Sequence, residues 1–120
     1  MNKSLLSFLG ITRRSGNLVF GMDEVRKNIL KGNIKLILTA KDISKNSFEK
    51  INEFNNNLEK SIDILPTEIT NEEIEHATNK FSGIIGIKDQ NFADKISLLV
   101  KPRMKGMSAN YDKIQSPRSC

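Results

Sequence analysis

The chain has 120 residues, 38% of them hydrophobic, and a formal net charge of +5 from 19 Lys/Arg against 14 Asp/Glu. That length suits one domain with a core of its own, and no apolar run approaches the ~20 residues that a membrane-spanning helix needs. A single cysteine, Cys120, excludes a disulfide within the chain and a cysteine-based metal site, which fits a reducing cytoplasm.

From Lys3 to Arg14, apolar residues at positions 5, 6, 8 and 9 are spaced for one face of a helix, and Ser15-Gly16-Asn17 ends it. This segment opens with a lysine and leucines, as a signal peptide does. Its apolar patch is short and broken and no small-residue cleavage site follows, so an amphipathic helix is expected. Leu18–Phe20 is long enough for a very short strand. Met22, Val25 and Ile29 share one face of a second helix, which Lys31-Gly32-Asn33 stops. Ile34–Ala40 is a nearly continuous apolar run, the pattern of a strand covered on both faces. Ser44 or Asn46 caps a third helix carrying Phe48, Ile51, Phe54 or Asn55, and Leu58 at helical spacing. Ser61–Leu65 is a second core strand, stopped by Pro66-Thr67. Thr70 followed by Glu73 forms a capping box for a fourth helix with Ile74 and Ala77 inward. Gly83–Ile87 is a third core strand, and Asp89 or Asn91 caps a fifth helix bearing Phe92, Ile96 and Leu99 or Val100.

Helix and strand therefore alternate, which predicts a three-layer α/β/α sandwich around a mixed, largely parallel sheet of about four strands. Residues 1–100 form this single domain. Residues 101–120 are polar, carry Lys101, Arg103, Lys105, Lys113 and Arg118, and are expected to be a flexible basic tail.

Charge is unevenly spread. Residues 1–41 hold eight Lys/Arg and two Asp/Glu, residues 42–98 hold six and eleven, and residues 99–120 hold five and one. A basic first third and basic tail around an acidic middle predict one surface that prefers polyanions. The segment from Arg13 to Asp42 concentrates the clues. Gly21 stands at the entrance of the second helix, where free N–H groups attract phosphate and a glycine lets another backbone approach. Arg13 and Arg14 end the first helix, and Lys27 and Lys31, four apart, make a basic stripe on the second. Each feature has a plainer reading: an ordinary helix-entry glycine, cations at a helix C-terminus, and a solvated face. Phe20 reads as packing rather than base stacking, because the phenylalanines fall mostly at core spacing. His76, the sole histidine, sits among Glu72, Glu73 and Glu75. It has no nucleophile partner and no metal-ligand spacing, so neither an enzyme nor a metal site is expected.

These segments together resemble a known family. LLSFLGITRRSGNLVFGMDEV, KGNIKLILTAKDIS, the strand ending at Leu65-Pro66-Thr67 and IIGIKDQNFA follow, in order, the pattern of the ribosomal protein superfamily L-seven-Ae / L-thirty-e / Gadd, nearest its bacterial YlxQ-like branch. The resemblance covers about Leu5–Ile96 and implies an α/β/α sandwich that binds kink-turn RNA. The family's signature, Gly-x-Asn-Glu-x-x-Lys, falls on Gly21-Met22-Asp23-Glu24-Val25-Arg26-Lys27. It keeps Gly21, Glu24 and Lys27 but has Asp23 where kink-turn binders place an asparagine that contacts guanine. Val19 and Phe20 occupy positions where archaeal members carry lysines. An ionised Asp only accepts hydrogen bonds, and two missing cations weaken phosphate attraction. The family's second RNA-facing element falls on Leu65, Pro66 and Thr67, with Ile74-Glu75 in place of its usual Leu-Gly pair. The resemblance implies a cytoplasmic, non-enzymatic protein of the ribosome or translation apparatus. It would use no cofactor and no small-molecule substrate and touch no membrane, with structured RNA, ribosomal RNA included, as its partner. The alternative is a protein-interaction module of the same fold, using the acidic middle or the Val19–Phe20 edge.

Overall fold

The computed structural model describes residues 3–107, with side chains through Val100. Helices and strands follow one another as α1 (Lys3–Arg14), β1 (Leu18–Phe20), α2 (Met22–Leu30), β2 (Leu36–Thr39), α3 (Lys45–Asn56), β3 (Ile64–Pro66), α4 (Asn71–Thr78), β4 (Ile84–Ile87) and α5 (Gln90–Met107). The backbone is therefore helical through Met107, past residue 100, where the domain was expected to give way to a tail. The remainder of that tail lies outside the described residues.

Several local signals explain these boundaries. Ser44 caps α3 by accepting the Ser47 N–H at 3.1 Å. At α4, the Thr70 hydroxyl accepts the Glu73 N–H at 3.1 Å while the Glu73 carboxylate accepts the Thr70 N–H at 3.0 Å, the reciprocal box that the spacing predicts. Asp89 precedes α5 and accepts the Asn91 N–H at 3.1 Å. Thr70→Ala removes one arm of the box and is expected to lower stability by about 1 kcal/mol, read as a shifted urea midpoint with unchanged slope.

The four strands lie in the order β1-β4-β2-β3. β2 and β3 are parallel, whereas β4 runs antiparallel to both β1 and β2. The mixed, four-stranded sandwich holds, but only one of the three pairings is parallel, so the sheet is not largely parallel. Strands β1, β2 and β3 do share a direction, as helix-strand alternation implies. The departure is β4. The chain leaves β3 beside Thr39, whose carbonyl accepts the Thr67 N–H at 3.0 Å, and enters β4 at Ile84, also opposite Thr39. Helix α4 therefore brings the chain back to the end it left, and β4 must run the other way. A 3.6-residue periodicity reports a helix but not whether it traverses the sheet.

Both sheet faces are covered, and the residues of β2 and β4 are buried throughout. Leu36, Leu38, Ile85 and Ile87 pack beneath α1, α4 and α5 through Leu5, Leu9, Ile74 and Ile96. On the opposite face Ile37 and Ile84 meet Val25 and Ile29 of α2 and Ile51 of α3. Burying α2 by its Val25–Ile29 stripe leaves its other side, with Glu24, Lys27 and Lys31, exposed to solvent.

Candidate nucleic-acid interface

The site begins at the end of α1. Gly16, at φ 82°, turns the chain as the Gly16 N–H reaches the Arg13 carbonyl at 2.9 Å, and the Asn17 carbonyl then accepts the Lys88 N–H at 2.9 Å. β1 thereby docks on β4 as the edge strand of the sheet. Its last residue leads into Gly21, at φ 93° and ψ 154°, a conformation open essentially to glycine alone. The Gly21 N–H donates to the Ile84 carbonyl at 3.0 Å, and its carbonyl accepts the Val25 N–H at 2.9 Å. Gly21 is thus the cap residue of α2 but offers no side chain to satisfy it. The next N–H groups of α2 point outward unsatisfied by the helix, with the positive end of its dipole behind them.

Residues around this entrance divide by helix face. Met22 is half-buried and packs into the core beside Val25. Asp23 is 94% exposed and lies 3.9 Å from Arg26, whose guanidinium also rests 5.5 Å from the Phe54 ring centroid. Glu24, Lys27 and Lys31 are exposed on the opposite flank. There the Glu24 carbonyl accepts Asn28 Nδ2 at 2.9 Å and Asn28 Oδ1 accepts Asn33 Nδ2 at 3.2 Å, stiffening the helix.

Two recesses adjoin the entrance. One, of about 740 Å³, runs along β1 and is lined by Arg13 and Arg14, by Glu24 and Asn28 of α2, and by Lys80 and Lys88. The other, of about 210 Å³, lies where α2, α3 and α4 all begin, between Gly21, Ser44, Asn71 and Gly83. Asn71 Oδ1 faces this region buried and without a hydrogen-bond partner, the only such side-chain atom among the described residues. Between Lys80 of the first recess and Ser82 of the second stands Phe81, 67% exposed. It is an exception to the core spacing expected of the phenylalanines, whereas Phe20 packs against the larger core cluster as expected.

The structure brings Arg13, Arg14 and Glu24 to one recess, with Gly21 in the neighbouring recess and Lys27 and Lys31 exposed further along α2. The expected second element sits at the same end of the sheet but is mostly turned inward. Leu65 packs on the core, and the buried Thr67 hydroxyl donates to the Thr39 carbonyl at 2.8 Å. Pro66 alone of the three is exposed. Asn28, Lys80, Phe81 and Lys88 are additions that sequence order did not group with the rest. A lysine directly after a core strand, as Lys88 follows Ile87, must lie at the sheet's rim, and that signal was available. Among the described residues there is no His/Cys/Asp/Glu cluster suited to a metal ion, and no helix long and apolar enough to cross a membrane.

The described residues thus form an α/β/α sandwich whose second helix opens at a glycine with no side-chain cap, beside a recess lined by Arg13, Arg14, Lys80 and Lys88. The chain belongs to the ribosomal protein L7Ae/L30e/S12e/Gadd45 family, whose model matches residues 3–97. Its fold is similar to that of a protein of unknown function from Bacillus halodurans C, at 24% identity and a TM-score of 0.73, covering 84% of this chain and 99% of that one. It is also similar to a 15.5 kD RNA-binding protein of Giardia lamblia, at 14% identity and a TM-score of 0.61, covering 85% and 89%. No curated protein matches the sequence.

Proposed function

We propose that the protein binds structured RNA non-covalently at the Gly21 entrance of α2, as a cytoplasmic, ribosome- or translation-associated component. The observation that carries this reading is the uncapped α2 N-terminus at φ 93°, set against a recess that holds Arg13, Arg14 and Glu24. Free N–H groups and the dipole favour a phosphate, and Arg13, Arg14, Lys27 and Lys31 neutralise its neighbours. Glu24 accepts a hydrogen bond from a base edge, Phe81 offers a stacking face, and Met22 and Pro66 border the contact. The fold's likeness to an RNA-binding protein of Giardia lamblia supports the same reading. The protein-interaction alternative gains little from the edge expected to carry it, since Val19 and Phe20 are half-buried and packed into the two cores.

The deciding measurement is binding to structured RNA, with and without a kink-turn, across a salt series. Affinity is expected to fall steeply with salt, and changing Arg13, Arg14 and Lys27 together to alanine is expected to flatten that dependence by roughly three in the log–log slope. Absence of binding at low salt overturns the proposal. Kink-turn preference is tested by Asp23→Asn. Because Asp23 is so exposed, its pair with Arg26 contributes roughly 0–1 kcal/mol, and the substitution leaves the fold intact. Preference for the kink-turn is expected to rise, since an amide donates as well as accepts. An unchanged preference would assign position 23 no part in specificity.

A further inference from the structure

We propose that the groove between α1 and α4 is where two copies of this chain meet, as a two-fold dimer in which the α1 wall of each copy faces the α4 wall of the other. Helices α1, α4 and α5 cover the sheet face opposite α2 and α3. Between α1 and α4 lies a groove of about 720 Å³. Its floor is apolar, formed by Leu6, Ala77 and Ile11, the last 46% exposed. Gly10 lets the two helices close on each other there, since a Cβ on it would stand 3.2 Å from the Ala77 carbonyl oxygen. Covering such an exposed apolar floor is favourable.

The walls decide what covers it. Helix α1, KSLLSFLGITRR, has Lys3, Arg13 and Arg14 and no carboxylate, and Lys3 and Arg14 line the groove. Helix α4, NEEIEHAT, has Glu72, Glu73 and Glu75 and no lysine or arginine, and Glu72 and Glu73 line the other side. The Glu73 carboxylate already accepts the Thr70 N–H. Lys3, Arg14 and Glu72 have no opposite charge within 4.0 Å among the described residues. A polyanion is repelled by the α4 wall, so the groove does not prolong the RNA contact. A second copy supplies what both walls lack. A two-fold axis running along the groove sets each basic wall against an acidic one and presses the two apolar floors together.

Size sets the strength of this contact. A helix is about 10 Å wide and twelve residues of it about 18 Å long, so two helices offer roughly 400 Å², half the ~800 Å² per partner of a standard interface. The dimer is therefore weak and reversible, with a dissociation constant on the order of 0.1 mM. Because α2 lies on the opposite sheet face, both α2 entrances stay open in it.

The test is sedimentation equilibrium of the full chain from about 0.02 to 1 mM, with thermal melting of each variant. The mean mass is expected to rise from the 13.5 kDa of one chain towards twice that value. I11E is expected to weaken association at least tenfold with the fold intact, because Ile11 already stands at the surface. K3E and E72K are each expected to weaken it severalfold, and K3E/E72K, whose facing charges are exchanged, to restore it. The double variant carries the same cost at the α4 N-terminus as E72K alone, so its recovery reads the contact and not the fold. A mass that stays at one chain over the whole range overturns the proposal. So does a dimer indifferent to I11E, which places the contact on another face. Loss in I11E without any response to K3E and E72K, or without recovery in the double variant, overturns the two-fold pairing of unlike walls.

Discussion

Replacing Gly21 with alanine is expected to cost about 2 kcal/mol of stability and most of the RNA affinity. The cost arises in the backbone: φ 93° with ψ 154° lies where an L side chain is strained by roughly 1–3 kcal/mol. Neighbours play no part, since a Cβ built at Gly21 meets no atom within 4 Å. The chain can relieve the strain only by rotating this residue. Rotation breaks the 3.0 Å bond to the Ile84 carbonyl and swings the first N–H groups of α2 away from the surface they face. Urea titration reads the first effect, and RNA binding well below the unfolding transition reads the second. Gly32 provides the control. It sits at φ 77° just beyond the other end of α2, again in open space, so Gly32→Ala is expected to cost about 1 kcal/mol while leaving RNA affinity unchanged. Equal losses of affinity in the two variants would mean that general destabilisation, and not the α2 entrance, governs binding.

Asn55→Leu is expected to destabilise the fold by about 3 kcal/mol without altering RNA affinity in the folded protein. Asn55 lies near the end of α3 and is 6% exposed. Its Nδ2 donates to the Ile62 carbonyl at 2.7 Å and its Oδ1 accepts the Ile62 N–H at 2.8 Å, so one side chain satisfies both backbone groups of a residue two positions before β3. Leucine fills the same space but strands both groups, each at roughly 1–3 kcal/mol. The clamp is at the far end of α3 from Ser44, which borders the Gly21 recess, and for that reason binding is spared. A loss below 1 kcal/mol in denaturant titration would show that water replaces the clamp without penalty.

These two residues also mark how far the sequence could be read. Periodicity and capping chemistry located the helices and strands, because apolar spacing, Gly32 after α2 and the Thr70–Glu73 box are local signals. Asn55 was visible only as an alternative to Phe54 at helical spacing. Its partner seven residues on is a backbone group, which no side-chain pattern betrays. Phe54 in turn meets Arg26 from another helix, and nothing in either segment announces that pair. The position of β4 between β1 and β2 was hidden for the same reason, and with it the convergence of Lys80 and Lys88 on Arg13 and Arg14. The α2 entrance was legible because Gly21, Glu24 and Lys27 fall within seven consecutive residues.

The insertion of β4 has a consequence for biosynthesis. Among the described residues strand β1 has no neighbour except β4, and Gly21 is held through Ile84. A ribosome that has made β1, α2, β2 and α3 has therefore produced the sequence of the α2 entrance without the strand that anchors it. Contacts across more than sixty residues must wait for β4 to emerge. A nascent or prematurely ended chain thus has no preformed α2 entrance, and the proposed RNA binding would arrive late, with the completion of the sheet.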